Sequence, residues 1–418
     1  MERVSRLRLI GMLLVLLVAA GAAVAEPEAK SAILFIGDGM GPMQILIGQA
    51  ANGGEKLRMQ RMPVSGTVWT LNGGGWITDS ADASTALSSG HKTADHLGLD
   101  MNGRRTWTTA EEAMAEGKSV GIISNDSICG ATPAGFIAHV ESRSMYPEIA
   151  EQVARSGAMV LMGVGKDGML PKSRGGDRDD SRDIVAEMQQ AGYRVVYNRD
   201  ELLRLTTDQL RILGVFEDDT APTLAEQVSA ALKRLSTDEQ GFMLVVEQAR
   251  VDWKVGDPSG VAQDVLALDK AVQVALNYAT TAGDTLVVVT ADHETGGLLI
   301  VDPEKPGILA QIPRTAGDIA AQLNADRSNI KAVMKQYAAI PDLTEAELQQ
   351  IATAKDAEAA VGAVIGERAG LKWCTGDHTM TPVRVYAYGP GSERFCGDMD
   401  NTDIAKRMGR AFESFWAD

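Results

Sequence analysis

The sequence predicts an α/β fold: a three-layer sandwich with a large, mostly parallel central sheet flanked by helices, plus a smaller helical insertion. Three observations lead there. Apolar runs such as Ala32-Ile33-Leu34-Phe35-Ile36 are continuous rather than alternating, as in strands buried on both faces. Such runs alternate with helix-length segments, the pattern of parallel sheet units. Glycine (43 of 418 residues) and alanine are abundant while aromatics are only 5%, which suits close packing of helices on a sheet. At 45% hydrophobic, the chain fills one large core with insertions rather than three independent units.

The net charge of −16 disfavours nucleic acid as a partner, since non-specific binding needs a basic surface. Arg3, Arg6 and Arg8 precede the apolar stretch Leu9–Val24, and Ala23-Val24-Ala25 fits a small-x-small cleavage site. Residues 1–25 are therefore expected to be a removable secretory leader. A membrane anchor is the other possibility, but the run falls short of the roughly 20 apolar residues a spanning helix needs. The expected compartment is the periplasm or the exterior. Three cysteines make no complete disulfide framework. Cys374 and Cys396 are placed to pair in an oxidising compartment, leaving Cys129 as a buried thiol.

In chain order, Ala32–Ile36 is the first buried strand, and Gly37-Asp38-Gly39-Met40-Gly41 puts Asp38 at its carboxyl end. By itself this is either a plain Asp-Gly turn or part of a site. A β-prone run, Trp76–Thr78, leads into Asp79-Ser80 and a small-residue helix to about Ser89, stopped by Gly90. Ser80 at a helix start is either an N-cap or a group at a ready-made anion site. A helix is expected over Thr108–Glu116, a strand over Ser119–Ser124 and a loop over Asn125–Pro133, with His139 and Arg143 one helical turn apart if that stretch is helical. Pro147 opens the next helix, Met159–Met162 is a strand, and the charged, glycine-rich Lys166–Asp180 is a surface loop. Gly241–Val246 delivers Glu247 and Asp252. The stripe Val265, Leu268, Val272 and Leu276 marks a core-facing helix over Val261–Thr281. Thr285–Thr290 delivers Asp292 and His293. From about 301 to 372 helical, charged patterning replaces the alternation, with helices expected over Asp318–Tyr337 and Glu345–Glu367. Val383–Tyr388 restores a strand after His378, and Asp403–Phe415 is the last helix, with Thr402 as its cap.

Ligands of parallel sheets bind beyond the carboxyl ends of the strands. Asp38, Asp79, Ser80, Glu247, Asp252, Asp292 and His293 all fall at or just after such ends. So many acids on one rim require bound cations, and a carboxylate–histidine–hydroxyl set suits zinc and magnesium.

The ordered set Phe35-Ile36-Gly37-Asp38-Gly39-Met40-Gly41, Thr78-Asp79-Ser80-Ala81, Ala131-Thr132-Pro133 with Arg143, Val246-Glu247 with Asp252, Thr290-Ala291-Asp292-His293-Glu294-Thr295-Gly296-Gly297, and His378 resembles the alkaline phosphatase family. The resemblance runs from about residue 32 to 415. It implies a secreted, metal-dependent phosphomonoesterase using two Zn2+ and one Mg2+, with small phosphate monoesters as substrates, no stable membrane anchor and a possible homodimer. It implies Ser80 as the nucleophile of a phosphoserine intermediate. Asp38, Asp292 and His293 would hold the zinc that activates it, and Asp252 and His378 the second zinc. Asp38, Thr132 and Glu247 would form the magnesium site. Arg143 would grip phosphate, positioned by Asp79. Two departures stand out. The histidine that relatives carry four residues after Asp252 is Gly256 here, so Asp257 or a water is left to fill the place, and an altered second metal site is expected. Gly130 stands where relatives usually place an aspartate or histidine beside magnesium. Alternatives are a catalytically impaired phosphate-binding relative or a phosphodiesterase on the same scaffold; a sulfatase is less expected, because Ser80 lacks the surrounding sequence usually modified there.

Overall fold

The computed structural model describes residues 29–206 and 211–411, so the leader expected over residues 1–25 and the end of the last helix lie outside the described residues. The central sheet has ten strands: β1 Ser31–Gly37, β2 Val64–Trp69, β3 Ser119–Ser124, β4 Val160–Val164, β5 Tyr193–Val196, β6 Arg211–Phe216, β7 Phe242–Gln248, β8 Thr285–Ala291, β9 Val383–Tyr388 and β10 Gly397–Asp400. Their order across the sheet is β10-β2-β9-β8-β1-β7-β3-β4-β6-β5. Only β9 runs against its neighbours, β8 and β2; every other pairing is parallel.

Every residue of β1, β3, β7 and β8 is buried, so both faces of the sheet centre are covered. Helices Pro42–Ala51, Leu224–Leu235 and Pro258–Ala282 pack together as one layer; Ser80–Ser89, Thr109–Ala115 and Thr402–Ala411 form the other. This is the three-layer α/β fold. The registers align the strand ends: Gly37 lies beside Gln248 and Ala291, and Glu247 lies beside Ser124. The residues that follow these strands therefore emerge on one rim.

Several expectations are corrected. Trp76–Thr78 is not a strand; Trp76 is 71% and Ile77 46% exposed. Asn72 replaces a ladder there: its Oδ1 accepts from the N–H groups of Gly74 and Trp76, and its amide donates to the Ile77 carbonyl. The stretch between His139 and Arg143 is not helical. Val140 instead bridges Leu97, and His139 is a packed structural residue whose Nδ1 donates to the Gly98 carbonyl (2.7 Å) and whose Nε2 pairs with Glu111 Oε1 (2.9 Å). Cys129, Cys374 and Cys396 all carry free thiols. Cys374 packs beside Gly297, whereas Cys396 precedes the edge strand β10, so the two stand on unrelated elements.

Between residues 301 and 372 lie helices Ala316–Ala320, Ile330–Tyr337, Glu345–Thr353 and Ala357–Arg368, closed at the base by a ladder of Leu299–Ile300 with Leu371–Lys372. Both long helices expected here break in two. The first break holds Arg327 in a left-handed conformation, with the Asn329 side chain bonded back to Asn324 and Gln322. At the second, Asp356 accepts from the Ala359 N–H and starts a new helix.

The Lys166–Asp180 segment is anchored where a plain surface loop is expected. Arg178 is 1% exposed; it donates to the carbonyls of Pro147 (3.0 Å) and Gly168 (2.9 Å) and makes a forked bond to Asp180 (2.8 and 2.6 Å). Arg178→Ala strands these acceptors and is expected to cost about 3 kcal/mol, read as a lower urea midpoint at constant slope.

Candidate active site

Asp38 leaves β1 into a tight turn. Its N–H donates to the Gln248 carbonyl (2.9 Å), and Gly39, at φ +73°, gives its N–H to Asp292 Oδ1 (3.1 Å). A Cβ on Gly39 would lie 2.7 Å from the Asp252 Cα, so glycine is what lets the 3-10 helix Ala249–Lys254 bring Asp252 close. Asp292 and His293 follow β8, and the His293 N–H donates to Asp292 Oδ1 (2.8 Å), turning the other oxygen inward.

Ser80 is the first residue of its helix rather than the cap. Asp79 is the cap, accepting from the Ala81 N–H (3.1 Å). The same carboxylate holds Arg143 Nη1 at 2.5 Å. Relieved of capping, the Ser80 hydroxyl donates to Asp38 Oδ2 (3.4 Å).

Two clusters of ligand atoms follow. Asp38, Asp292 and His293 form one, and Asp252, His293 and His378 the other; within each, the atoms lie within 4.8 Å of one another. In the first, Asp38 Oδ1, Asp292 Oδ2 and His293 Nε2 are all buried without a hydrogen-bond partner. Burial of three such atoms is costly unless a cation satisfies them. In the second, His378 comes in on a short ladder with Thr295; its Nδ1 pairs with the Thr78 carbonyl (3.0 Å), leaving Nε2 3.4 Å from Asp252 Oδ1. The His293 and His378 rings stack at 3.6 Å. His293 thus belongs to both clusters. A third set, Thr132 and Glu247 beside Asp38, lines the same cleft, with the Thr132 hydroxyl buried without a hydrogen bond of good geometry and the Ser124 hydroxyl donating to Glu247. Nitrogen and oxygen donors of this kind fit zinc at the two histidine-bearing clusters and a harder cation at the third.

The electrostatics reflect the crowding. Burial, reinforced by the charges of Asp292, Asp252 and Glu247, pushes Asp38 well above the carboxylate range. Burial also pushes Glu247 up to about 7, against the hydrogen bond from Ser124. Burial holds His293 down. For His378 burial acts the same way, but bonds to Asp252 and the Thr78 carbonyl win and raise it to about 9. Burial would lift Asp79, yet Arg143 and the Ala81 N–H leave it lowered.

Asp257 does not fill the place left by Gly256. Its Oδ1 caps the helix Pro258–Ala282 through the Gly260 N–H (2.8 Å) and accepts from Ser259, while Oδ2 accepts from the Ala316 N–H (3.0 Å). Gly256 itself has φ +89°, a conformation that histidine rarely adopts, and its carbonyl oxygen is 2.3 Å from where a Cβ on Gly362 would sit. Trp253, the residue after Asp252, stands 55% exposed on the rim under Arg250. Asp126 also lines the cleft and escaped the sequence reading; its position two residues past the end of β3 was the available signal.

The alkaline phosphatase family model matches residues 29–414. Alkaline phosphatase 3 of Bacillus subtilis (strain 168) is 31% identical over 93% of this chain and 90% of its own length. The cold-active alkaline phosphatase from Shewanella sp. superposes with a TM-score of 0.82 at 29% identity, covering 91% of this chain and 99% of that one. The alkaline phosphatase of Thermus thermophilus gives 0.80 at 27% identity, with 94% of each chain covered. With the family model matching nearly all of the described residues, the chain belongs to the alkaline phosphatase family.

Proposed function

We propose that this chain is an exported, divalent-metal-dependent phosphomonoesterase that passes the phosphoryl group through Ser80. The observation that carries this is the convergence of three buried atoms that make no hydrogen bond, Asp38 Oδ1, Asp292 Oδ2 and His293 Nε2 (with Nε2 3.5 and 3.2 Å from the two oxygens), next to the serine hydroxyl. Asp38, Asp292 and His293 would hold one zinc; Asp252 and His378, with His293 facing them, a second; Asp38, Thr132 and Glu247 a magnesium. Bound there, such cations supply a lowered hydroxyl pKa and positive charge opposite the entering and leaving oxygens.

The chain's own residues do the rest. Ser80 Oγ, its proton passed to solvent, forms a bond to phosphorus as the ester P–O bond breaks and the alcohol leaves with a proton from solvent. Water then attacks phosphorus, the Oγ–P bond breaks with a proton from that water passing to Ser80, and inorganic phosphate departs. Asp38 Oδ2 directs the hydroxyl before attack. Arg143, fixed by Asp79, offers its planar guanidinium to two phosphate oxygens, a match lysine lacks. The N-terminus of the Ser80–Ser89 helix presents N–H groups to the same anion. Export is supported by the leader-like composition of residues 1–25; no helix among the described residues is long and apolar enough to cross a membrane.

A second reading, a phosphate-binding relative with impaired turnover, is favoured by one observation: Gly256 supplies no ligand and Asp257 is engaged elsewhere. Elemental analysis alongside hydrolysis of p-nitrophenyl phosphate separates the two. The expected result is turnover at alkaline pH with one firmly held zinc per chain and a second lost on dilution. Two firmly held zincs would show that the gap is filled; no turnover at saturating zinc and magnesium would favour the impaired relative. Rates on a diester measured in parallel are expected to be lower than on the monoester.

Ser80→Ala is expected to abolish the covalent phosphoenzyme and lower kcat by about ten-thousandfold with the fold retained. Wild-type turnover in that variant would exclude Ser80 as nucleophile. Arg143→Lys is expected to weaken inhibition by inorganic phosphate about tenfold, measured as the inhibition constant.

A further inference from the structure

Asp126 stands just past β3 and is fixed by its backbone. Its N–H donates to the Ser124 hydroxyl (2.9 Å), which in turn donates to Glu247, and its carbonyl accepts from the Val164 N–H (2.8 Å). One short relay thus ties the Asp126 backbone to the Glu247 carboxylate. Both residues line the cleft that holds the Thr132 hydroxyl, which is 1% exposed and, though it interacts with Glu247, makes no hydrogen bond of good geometry. A buried hydroxyl aimed into a carboxylate-walled cleft calls for an oxygen-seeking cation.

Gly130 borders this cleft and brings no side chain to it. The Gly130 N–H closes a turn onto the Ser127 carbonyl (2.8 Å), and a Cβ at Gly130 would lie only 2.9 Å from that oxygen. The nearest side-chain atom to that Cβ position is Asp126 Oδ2, at 3.5 Å. The carboxylate from four residues earlier thus lies within van der Waals reach of where a side chain at Gly130 would begin. The arginines near Asp126 are engaged by other groups: Arg143 by Asp79, and Arg250 by the Asn125 carbonyl and Asp218.

We infer that Asp126 is the outer carboxylate of the third cation site, facing Thr132 and Glu247 and standing in for the side chain absent at Gly130. This rests on the metal-dependent function proposed above. The cation it serves is a hard, oxygen-preferring divalent ion such as Mg2+.

The test is calorimetric titration of MgCl2 into zinc-loaded protein, for the wild type, Asp126→Asn and Asp167→Asn. Asp167 adds a like charge near Asp126 but lies outside the cleft, so its substitution controls for simple charge removal. The expected result is a magnesium dissociation constant raised about tenfold or more in D126N, with zinc content and metal-free melting temperature unchanged, and D167N within twofold of wild type. D126N within twofold of wild type would overturn the inference while leaving the wider function standing. Equal weakening in D167N would also overturn it, by reducing the effect to long-range charge. A wild type with no saturable magnesium binding would remove the third site and the inference together.

Discussion

The structure turns on electrostatic crowding at the carboxyl edge of the sheet. Asp38, Glu247, Asp252 and Asp292 are brought there by strands whose registers place their ends side by side. Packing alone would not tolerate this: every residue of the central strands is buried, and the rim inherits their low-dielectric surroundings. The apolar sheet fixes the acids in place, and the acids in turn demand positive charge. Stability and chemistry are therefore coupled through the same few atoms.

The surrounding polar groups divide into those that aim the rim and those that complete it. Asp79 caps the serine helix and steers Arg143 with one carboxylate. The N–H groups of Gly39 and His293 occupy one oxygen of Asp292 and leave the other free. Glu294, two residues on, is spent on structure, accepting from Gln44 and from the N–H groups of Gly297 and Leu298. Two acids separated by a single residue thus serve different ends because the backbone turns between them.

Much of this was legible in the sequence. Continuous apolar runs gave the central strands nearly residue for residue, as with Ser119–Ser124 and Thr285–Ala291, and the motifs at their ends marked the rim. Tertiary detail was not legible. Trp76–Thr78 has strand-like residues but no neighbouring strand, and one asparagine side chain decides its shape. β2 and β10 are short edge-side strands, with a mixed burial pattern that periodicity does not single out. The direction of β9 depends on which neighbour it meets. Arg178 and Asp126 read as loop charges because nothing local shows that one is buried and the other walls a cleft.

The backbone at Gly256 bears on how this chain could change over generations. Its handedness excludes a ready return of a histidine, and its carbonyl is wedged against Gly362 in the helix Ala357–Arg368. A single codon change there would meet a strained main chain but open space for the new side chain, so the cost of restoring that ligand lies in the loop's own backbone conformation.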